Sequence, residues 1–502
     1  MIKKYQYILL IAVLLVSVQC KKDALLIADL TGIDLVSGNT LVGIITDSKS
    51  GKPIEGIIVS DGFTSTKTDD KGVYQIKKNK VAAFVQYVIP EDYEVQISDG
   101  LPLFYEKIEL NYKIFRKDFR LTKMKNGVEK NFTLFCLADP QVKTESDMIR
   151  FKTETIVDIN ETVEQTEASY GLILGDIVFD SPELMEPMRR LFSEVNVKFF
   201  PVIGNHDHNQ YATNDLAAGY GYEAVFGPRN YSFNRGNGHI VVMDNVIYFN
   251  RDNYTGGFTD DQIAWLKNDL QFVPKDKIIV LGLHIPMRNK DNLQNSKEIY
   301  ALIEPYSEVH IMSGHTHDNQ NIKHTNSNIY EHIHAAACGA WWTSTINADG
   351  TPNGYGVYEI ESNQIKNWYY KSTFYDKKYQ IRMYPKGSFG EKTNDIVANI
   401  WNADDDWKVE LYEDNIKSGD MIRETNYDNA VYYFYQMFGI AAQPNRSNNE
   451  STSWYKRPNH LFRFAPKSSK SKITIKATDR FGNIYTQDQF TTSIALFSKY
   501  NK

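Results

Sequence analysis

Aspartate, asparagine and histidine recur in this chain at one kind of place. The apolar run Phe132–Ala138 ends in Asp139-Pro140-Gln141, and Tyr170–Leu174 ends in Gly175-Asp176. Lys198–Ile203 leads into Gly204-Asn205-His206-Asp207, Ile278–Leu283 into His284, and Val309–Ser313 into Gly314-His315-Thr316-His317. Each run has the length and composition of a buried strand. Residues delivered just past the carboxyl ends of several strands stand where α/β sheets gather their sites.

These donors are oxygens and imidazoles, with no thiolate among them. Such a set suits manganese, iron, zinc or magnesium more than thiophilic ions. Two divalent ions held ~3.5–4 Å apart repel each other, so a carboxylate must lie between them and neutral donors must complete each shell. Water activated by such a pair attacks phosphorus in line while both ions neutralise the phosphoryl oxygens. The glycines before Asp176, Asn205 and His315 let the backbone turn sharply beneath the ions.

In their order, Asp139-x-Gln141, Gly175-Asp176, Gly204-Asn205-His206-Asp207, His284 and Gly314-His315-Thr316-His317 resemble the five motifs of the calcineurin-like metallophosphoesterases. The resemblance implies an α/β fold over residues 131–365, a four-layer core of two packed β-sheets flanked by helices. It implies hydrolysis of a phosphomonoester or phosphodiester by in-line attack of a metal-bridging water. Position by position, Asp139 and His317 would bind the first ion, Asp176 would bridge, and Asn205, His284 and His315 would bind the second. His206 would face the substrate to stabilise or protonate the leaving oxygen, with Asp207 orienting it by a hydrogen bond.

The family's usual histidine is replaced here by Gln141. An amide oxygen is a weaker, harder donor, so Gln141 ligates weakly, reaches the ion through water, or only hydrogen-bonds. That puts two Mn²⁺ or Mg²⁺ ions ahead of Zn²⁺ or iron. It is also the one feature favouring the rival reading, a weak or inactive envelope scaffold that binds glycan or other envelope components. His208, Asn209 and Tyr211 follow the third motif as candidate substrate-cleft residues, against a plain loop role. His334, Trp341 and Trp342 are candidates for a pocket wall, against core packing. His239 and His310 read as structural, and Asp404-Asp405-Asp406 reads as a solvated turn.

The supporting elements follow from periodicity. Thr153–Glu167 spaces Ile156, Ile159 and Val163 helically, Ser181-Pro182 reads as a helix start, and Thr259–Gln262 is a capping box for a helix with Ile263, Leu266 and Leu270 on one face. Residues 40–122 alternate short strands with turns and resemble a transthyretin-like β-sandwich, joined through the polar linker Lys123–Lys130. Residues 366–502 carry the alternating runs Val397–Trp401, Trp407–Leu411 and Lys472–Ala477, which predict a second β-sandwich; Val431–Gly439 between them is a strand or a short helix.

At 502 residues, roughly three domains at ~150 residues each are expected. The net charge is −6 with no Lys/Arg-rich block, so no nucleic-acid partner is expected. Met1–Lys4 is cationic and Ile8–Val18 apolar, shorter than the ~20 residues of a membrane span. Residues 1–20 read as a signal peptide whose Cys20 resembles the acylated first residue of a bacterial lipoprotein, with 21–39 as a tether. The expected location is the bacterial cell envelope, lipid-anchored to membrane on the periplasmic or cell-surface side. Cys136 and Cys338 lie in apolar runs and read as buried small hydrophobes, with no disulfide framework.

Overall fold

The computed structural model describes residues 25–250, 253–388, 390, 392–438 and 455–491. The expected signal segment with Cys20 lies outside the described residues, as does Gly439.

The centre of the molecule is two sheets packed face to face. The first runs in the order Lys198–Val202, Ser169–Leu174, Asn131–Leu137, Gly354–Glu361, Gln364–Ser372. Its first three strands are parallel and its last two antiparallel. The second runs Tyr231–Arg235, Gly238–Val242, Ile278–Gly282, Glu308–Ser313, Ile329–Ile333, Gln320–Lys323, with the four middle strands parallel. Because successive side chains on a strand face opposite ways, each sheet sends one set of residues inward. Leu134, Cys136, Leu172, Leu174, Phe200 and Val202 meet Phe233, Ile240, Val242, Ile278, Val280 and Met312 between the sheets.

The alternate residues face helices, making four layers. Phe135, Leu137, Ile173 and Phe199 pack under Phe151, Ile156, Ile159, Met185 and Met188. Val241, Ile279, Leu281 and Ile311 pack under Trp265, Leu266, Leu270, Ile299 and Tyr300. The first helical stretch starts earlier than its periodicity suggests. Thr144 caps Glu145–Arg150 in a box with Asp147, and one wide π turn, Phe151–Ile156, leads into Val157–Val163. Ser181 makes no cap, and a short turn, Pro182–Leu184, precedes the helix Met185–Leu191. The Thr259–Gln262 box opens Asp260–Leu270 as expected.

Two β-sandwiches flank this core. The N-terminal one packs Tyr112–Arg116, Leu41–Asp47, Phe119–Leu121 and Val73–Ile76 against Ser65–Lys67, Ile58–Ser60, Phe84–Tyr87 and Tyr105–Lys107. Residues 25–39 are not a free tether: Leu26–Ile27 pairs with Tyr112–Ile114, and Ile33 is buried beside Val42, Val73 and Ile114. The sandwich interior is continuous with the layer between the central sheets through Phe104, whose ring lies 6.3 Å from Phe200 and 4.9 Å from Tyr231. The C-terminal sandwich stacks Arg382–Tyr384, Ile396–Asn399, Leu461–Phe464 and Ile422–Glu424 on Ile416–Asp420, Lys408–Glu413, Ile473–Thr478 and Ile484–Gln487. The ambiguous Tyr/Phe-rich segment is a helix, Asn429–Phe438, which buries Ala430, Val431 and Phe434. Asp404 is not a solvated turn residue; it is buried against Arg480 at 2.9 Å.

Phe200 stacks on Phe233 at 3.6 Å at the middle of this shared interior. Replacing Phe200 with Ala should cost ~3–5 kcal/mol through the lost contacts and the cavity left behind, read as a lower urea midpoint for the central domain. An unchanged midpoint would refute a single continuous interior.

Candidate metal centre

The expected residues meet at one end of the paired sheets. The first sheet delivers Asp139, Asp176 and Asn205 beyond its parallel strands, and the second delivers His284, His315 and His317. Asp176, His284 and His315 present ligand atoms all within 4.8 Å of one another. His284 Nε2 lies 3.3 Å from Asp176 Oδ1, 3.0 Å from Asn205 Oδ1 and 3.1 Å from His315 Nδ1. Asp139 accepts from the His315 backbone N–H at 2.9 Å and lies 3.6 Å from His317 Nε2.

The backbone at these positions is unusual. Asp139, Gln141, Asp176, His315 and His317 all have φ between +44° and +68°, the left-handed region that side chains avoid. Such strain persists where the surroundings over-determine it, and it gathers at functional sites. Gly175, at φ +85°, makes the sharp turn expected of it. Gly204 and Gly314 serve a different purpose, close approach. A Cβ on Gly204 would sit 2.1 Å from the Asp176 nitrogen, and one on Gly314 would sit 2.4 Å from Asp139 Oδ2.

The donor chemistry fits a metal ion. His284 Nδ1 faces the Leu174 carbonyl at 2.8 Å, an acceptor only, so Nδ1 carries a hydrogen and Nε2 is the nitrogen turned inward. That nitrogen, the Asn205 and Asp176 oxygens and His315 Nδ1 converge on one point, and each can offer a lone pair to an ion once His284 has given up its Nε2 proton. The electrostatics register the same demand for positive charge. Burial pushes Asp139 up to about 8, with His284 opposing and Asp176 reinforcing the rise. Burial opposes charge on His284, but the Asp176 carboxylate raises it to about 9. For Asp176 burial works upward, yet His284 and His206 hold it well below the usual carboxylate range. Burial lowers His315 and His317 to about 3, leaving the neutral imidazoles that bind metals. His317 Nδ1 is buried without a hydrogen-bond partner.

Around the centre several expectations change. Asp207 does not orient His206. It lies behind the Asn205–Asp207 turn, where it accepts from Gly204 N (2.9 Å) and Val178 N (3.0 Å), and burial and Asp176 push it up to about 6. The orienting carboxylate is Asp180, whose Oδ1 lies 2.8 Å from His206 Nδ1. His206 also stacks on Phe179 at 4.2 Å and donates its backbone N–H to Asp176 Oδ1. Against burial, Asp176 and Asp180 raise its affinity for a proton. Gln141 donates Nε2 to Asp176 Oδ2 at 3.0 Å, while its Oε1 turns toward Cys338 Sγ at 3.9 Å.

His208 is buried, not in a cleft: Nδ1 faces the Gly204 carbonyl, Nε2 lies 3.4 Å from Asp244, and the ring stacks on Tyr248. Trp342 donates to the Pro140 carbonyl and packs on Phe151 in the interior. His334 bridges the Ser313 carbonyl and the Tyr358 hydroxyl in the core. Trp341 alone of this group stands at the centre, its ring 5.0 Å from His317. Cys136 and Cys338 are both buried and free. Asn245 was missed: it accepts from the backbone N–H groups of His284 and Ile285 and donates to the Ile285 carbonyl. Its signal was a sixth apolar run, Ile240–Met243, ending in Asp244-Asn245.

Three family models match in succession. The calcineurin-like phosphoesterase model covers residues 132–319, flanked by the N-terminal model of the same phosphoesterases at 39–124 and the C-terminal model at 331–485. This chain belongs to the calcineurin-like phosphoesterases. Their family chemistry is metal-dependent phosphoester hydrolysis. No curated protein matches the chain. Among solved structures it is similar to a purple acid phosphatase from yellow lupin (Lupinus luteus) seeds, at 9% identity and TM-score 0.35, over 69% of this chain and 66% of that one. It is also similar to the phosphopantetheinyl hydrolase of Mycobacterium tuberculosis, at 11% identity and TM-score 0.27, over 42% of this chain and 91% of that one. The sulfate thiohydrolase SoxB of Thermus thermophilus matches at 12% identity and TM-score 0.27, over 48% of this chain and 56% of that one. The chain thus spans just under two thirds of the lupin enzyme.

Ion uptake by this phosphoesterase should release protons at about pH 7. Asp139 and His284 hold them there, being raised to about 8 and 9, and must give them up to ligate. Titration calorimetry in buffers of different ionisation enthalpy measures the count. Affinity indifferent to pH between about 6 and 9 would contradict this electrostatic picture.

Proposed function

We propose that this chain hydrolyses a phosphomonoester or phosphodiester with a pair of divalent ions held by Asp139, Asp176, Asn205, His284, His315 and His317. The observation that carries the reading is the convergence of ligand atoms from Asp176, Asn205, His284 and His315 on one point. Asp139 and His317 would hold one ion and Asn205, His284 and His315 the other, with Asp176 available to both. Gln141 orients the Asp176 carboxylate through its amide N–H rather than ligating. Three oxygens and three imidazoles without a thiolate suit Mn²⁺, Mg²⁺, Zn²⁺ or iron, and Gln141 in place of the family's usual histidine is what puts Mn²⁺ or Mg²⁺ first. Bound ions supply Lewis acidity and neutralise phosphoryl charge.

The chain's own part is proton handling and orientation. Asp180 holds His206 Nδ1 and Phe179 fixes the ring plane, which leaves Nε2 free to protonate the leaving oxygen. The carboxylates of Asp176 and Asp180 keep a proton on His206 ready for that transfer.

Activity on p-nitrophenyl phosphate or its bis ester should require Mn²⁺ and stop with EDTA. Asp176→Asn should lose metal and turnover together, whereas His206→Ala should keep its metal and lose ~10²–10⁴-fold in kcat. Metal loss in His206→Ala would refute the division of roles. No turnover with any divalent ion would leave the envelope-scaffold reading.

We also infer a lipid anchor at Cys20, from the cationic start, the short apolar run and the cysteine that ends it. Among the described residues no helix is long and apolar enough to cross a membrane. Cys20→Ser should move the protein from the membrane fraction to the soluble one. Unchanged partitioning would refute the anchor.

A further inference from the structure

The loop that carries His315 and His317 is held from outside its own domain. Both residues stand in the left-handed region, at φ 68° and 52°, a conformation that costs ~1–3 kcal/mol each unless neighbours impose it. Asp139 secures His315 from within the central domain through its backbone N–H. His317 is bracketed by a lysine that arrives from the C-terminal domain. Lys456 Nζ donates to the Thr316 carbonyl on one side of His317 and to Asp318 Oδ1, at 2.7 Å, on the other. The Lys456 backbone N–H donates to the Ala348 carbonyl at 2.8 Å, and the Ala348 N–H donates to the His317 carbonyl at 3.1 Å. One residue therefore reaches the same histidine by its side chain and by its backbone.

Behind it lies a buried polar knot. Asn319 donates its N–H to Asp349 Oδ2 at 2.7 Å and its side-chain amide to the Trp401 carbonyl at 2.8 Å. His460 Nε2 lies 3.0 Å from Asp349 Oδ2, and Asn399 donates to the Asp349 carbonyl at 2.9 Å. Asp318, Asn319, Asp349, Asn399 and His460 are all buried, so these bonds form away from water, where each is electrostatically stronger than at the surface. If the interface merely glued two domains together, it would have no reason to converge on the residues flanking a single ligand.

We propose that Lys456 is a positioning residue: by pinning Thr316 and Asp318 it sets the His317 imidazole for the ion shared with Asp139, so that the C-terminal domain completes the metal centre. The inference rests on the two-ion reading above.

The test uses the full chain and Mn²⁺ alone as probe, with binding followed by electron paramagnetic resonance of the free ion. Lys456→Ala should weaken one of two Mn²⁺ sites about 10–100-fold and leave the other at wild-type affinity. The metal-free melting temperature should fall, because Asp318 is left buried without its cation, and excess Mn²⁺ should restore turnover. Lys456→Arg, which keeps a cationic donor, should recover part of the affinity. Two sites of wild-type affinity in Lys456→Ala would overturn the proposal. So would equal weakening of both sites, or a fall in metal-free stability with no change in binding. If Lys456→Ala fails to fold, Asp318→Ala removes the acceptor from the loop side and must show the same selective loss; wild-type binding there would overturn it too. Failure of the two-ion reading looks different, because the unmutated chain would then bind no Mn²⁺.

Discussion

The structure is organised around an electrostatic demand. Two carboxylates, an amide oxygen and three imidazoles are brought into one largely buried space with their polar atoms facing one another. Left to themselves such groups repel or capture protons, which is what the raised proton affinities of Asp139 and His284 express. Compact positive charge in place of those protons relieves the same repulsion. The layers, turns and flanking domains can be understood as the means of forcing those groups together.

The forcing is done by parallel strands and by backbone geometry that sequence normally avoids. Strands pointing the same way release their chains at a common edge, so residues far apart in sequence emerge side by side. The left-handed turns at Asp139, Asp176, His315 and His317 then fold each donor back over the sheet ends. Glycine is needed where one loop passes hard against another, as Gly204 does against Asp176 and Gly314 against Asp139. The strain is offset by the shared interior below and by hydrogen bonds from above, including those that Asn245 gives the His284 turn.

The groups that converge at the site were legible in the sequence because each follows directly on a run of strand-forming residues, and strand, turn and side chain are all local. The four-layer core and both sandwiches were legible for the same reason, through alternation and turn residues. What was illegible depends on where a loop goes after it leaves the strand. Asp207 and Asp180 are equally good hydrogen-bond partners for His206 on paper, and only the path of the turn after Asp176 decides for Asp180. His208 and Trp342 are polar-tipped side chains near a motif, yet their tips find carbonyls within the fold. Residues 25–39 read as a tether because one buried isoleucine and a two-residue strand leave almost no periodic trace among their apolar residues.

The bond from Asp139 to the His315 backbone closes a loop of 176 residues, and Lys456 returns to the same turn across a further 140. A chain emerging from the ribosome meets these partners in order, and neither half of the cage exists until the later strands have been made. Contacts of such long range form slowly and late. A growing chain therefore lacks the assembled cluster until the strand that carries His315 and His317 has been made and packed against the first sheet.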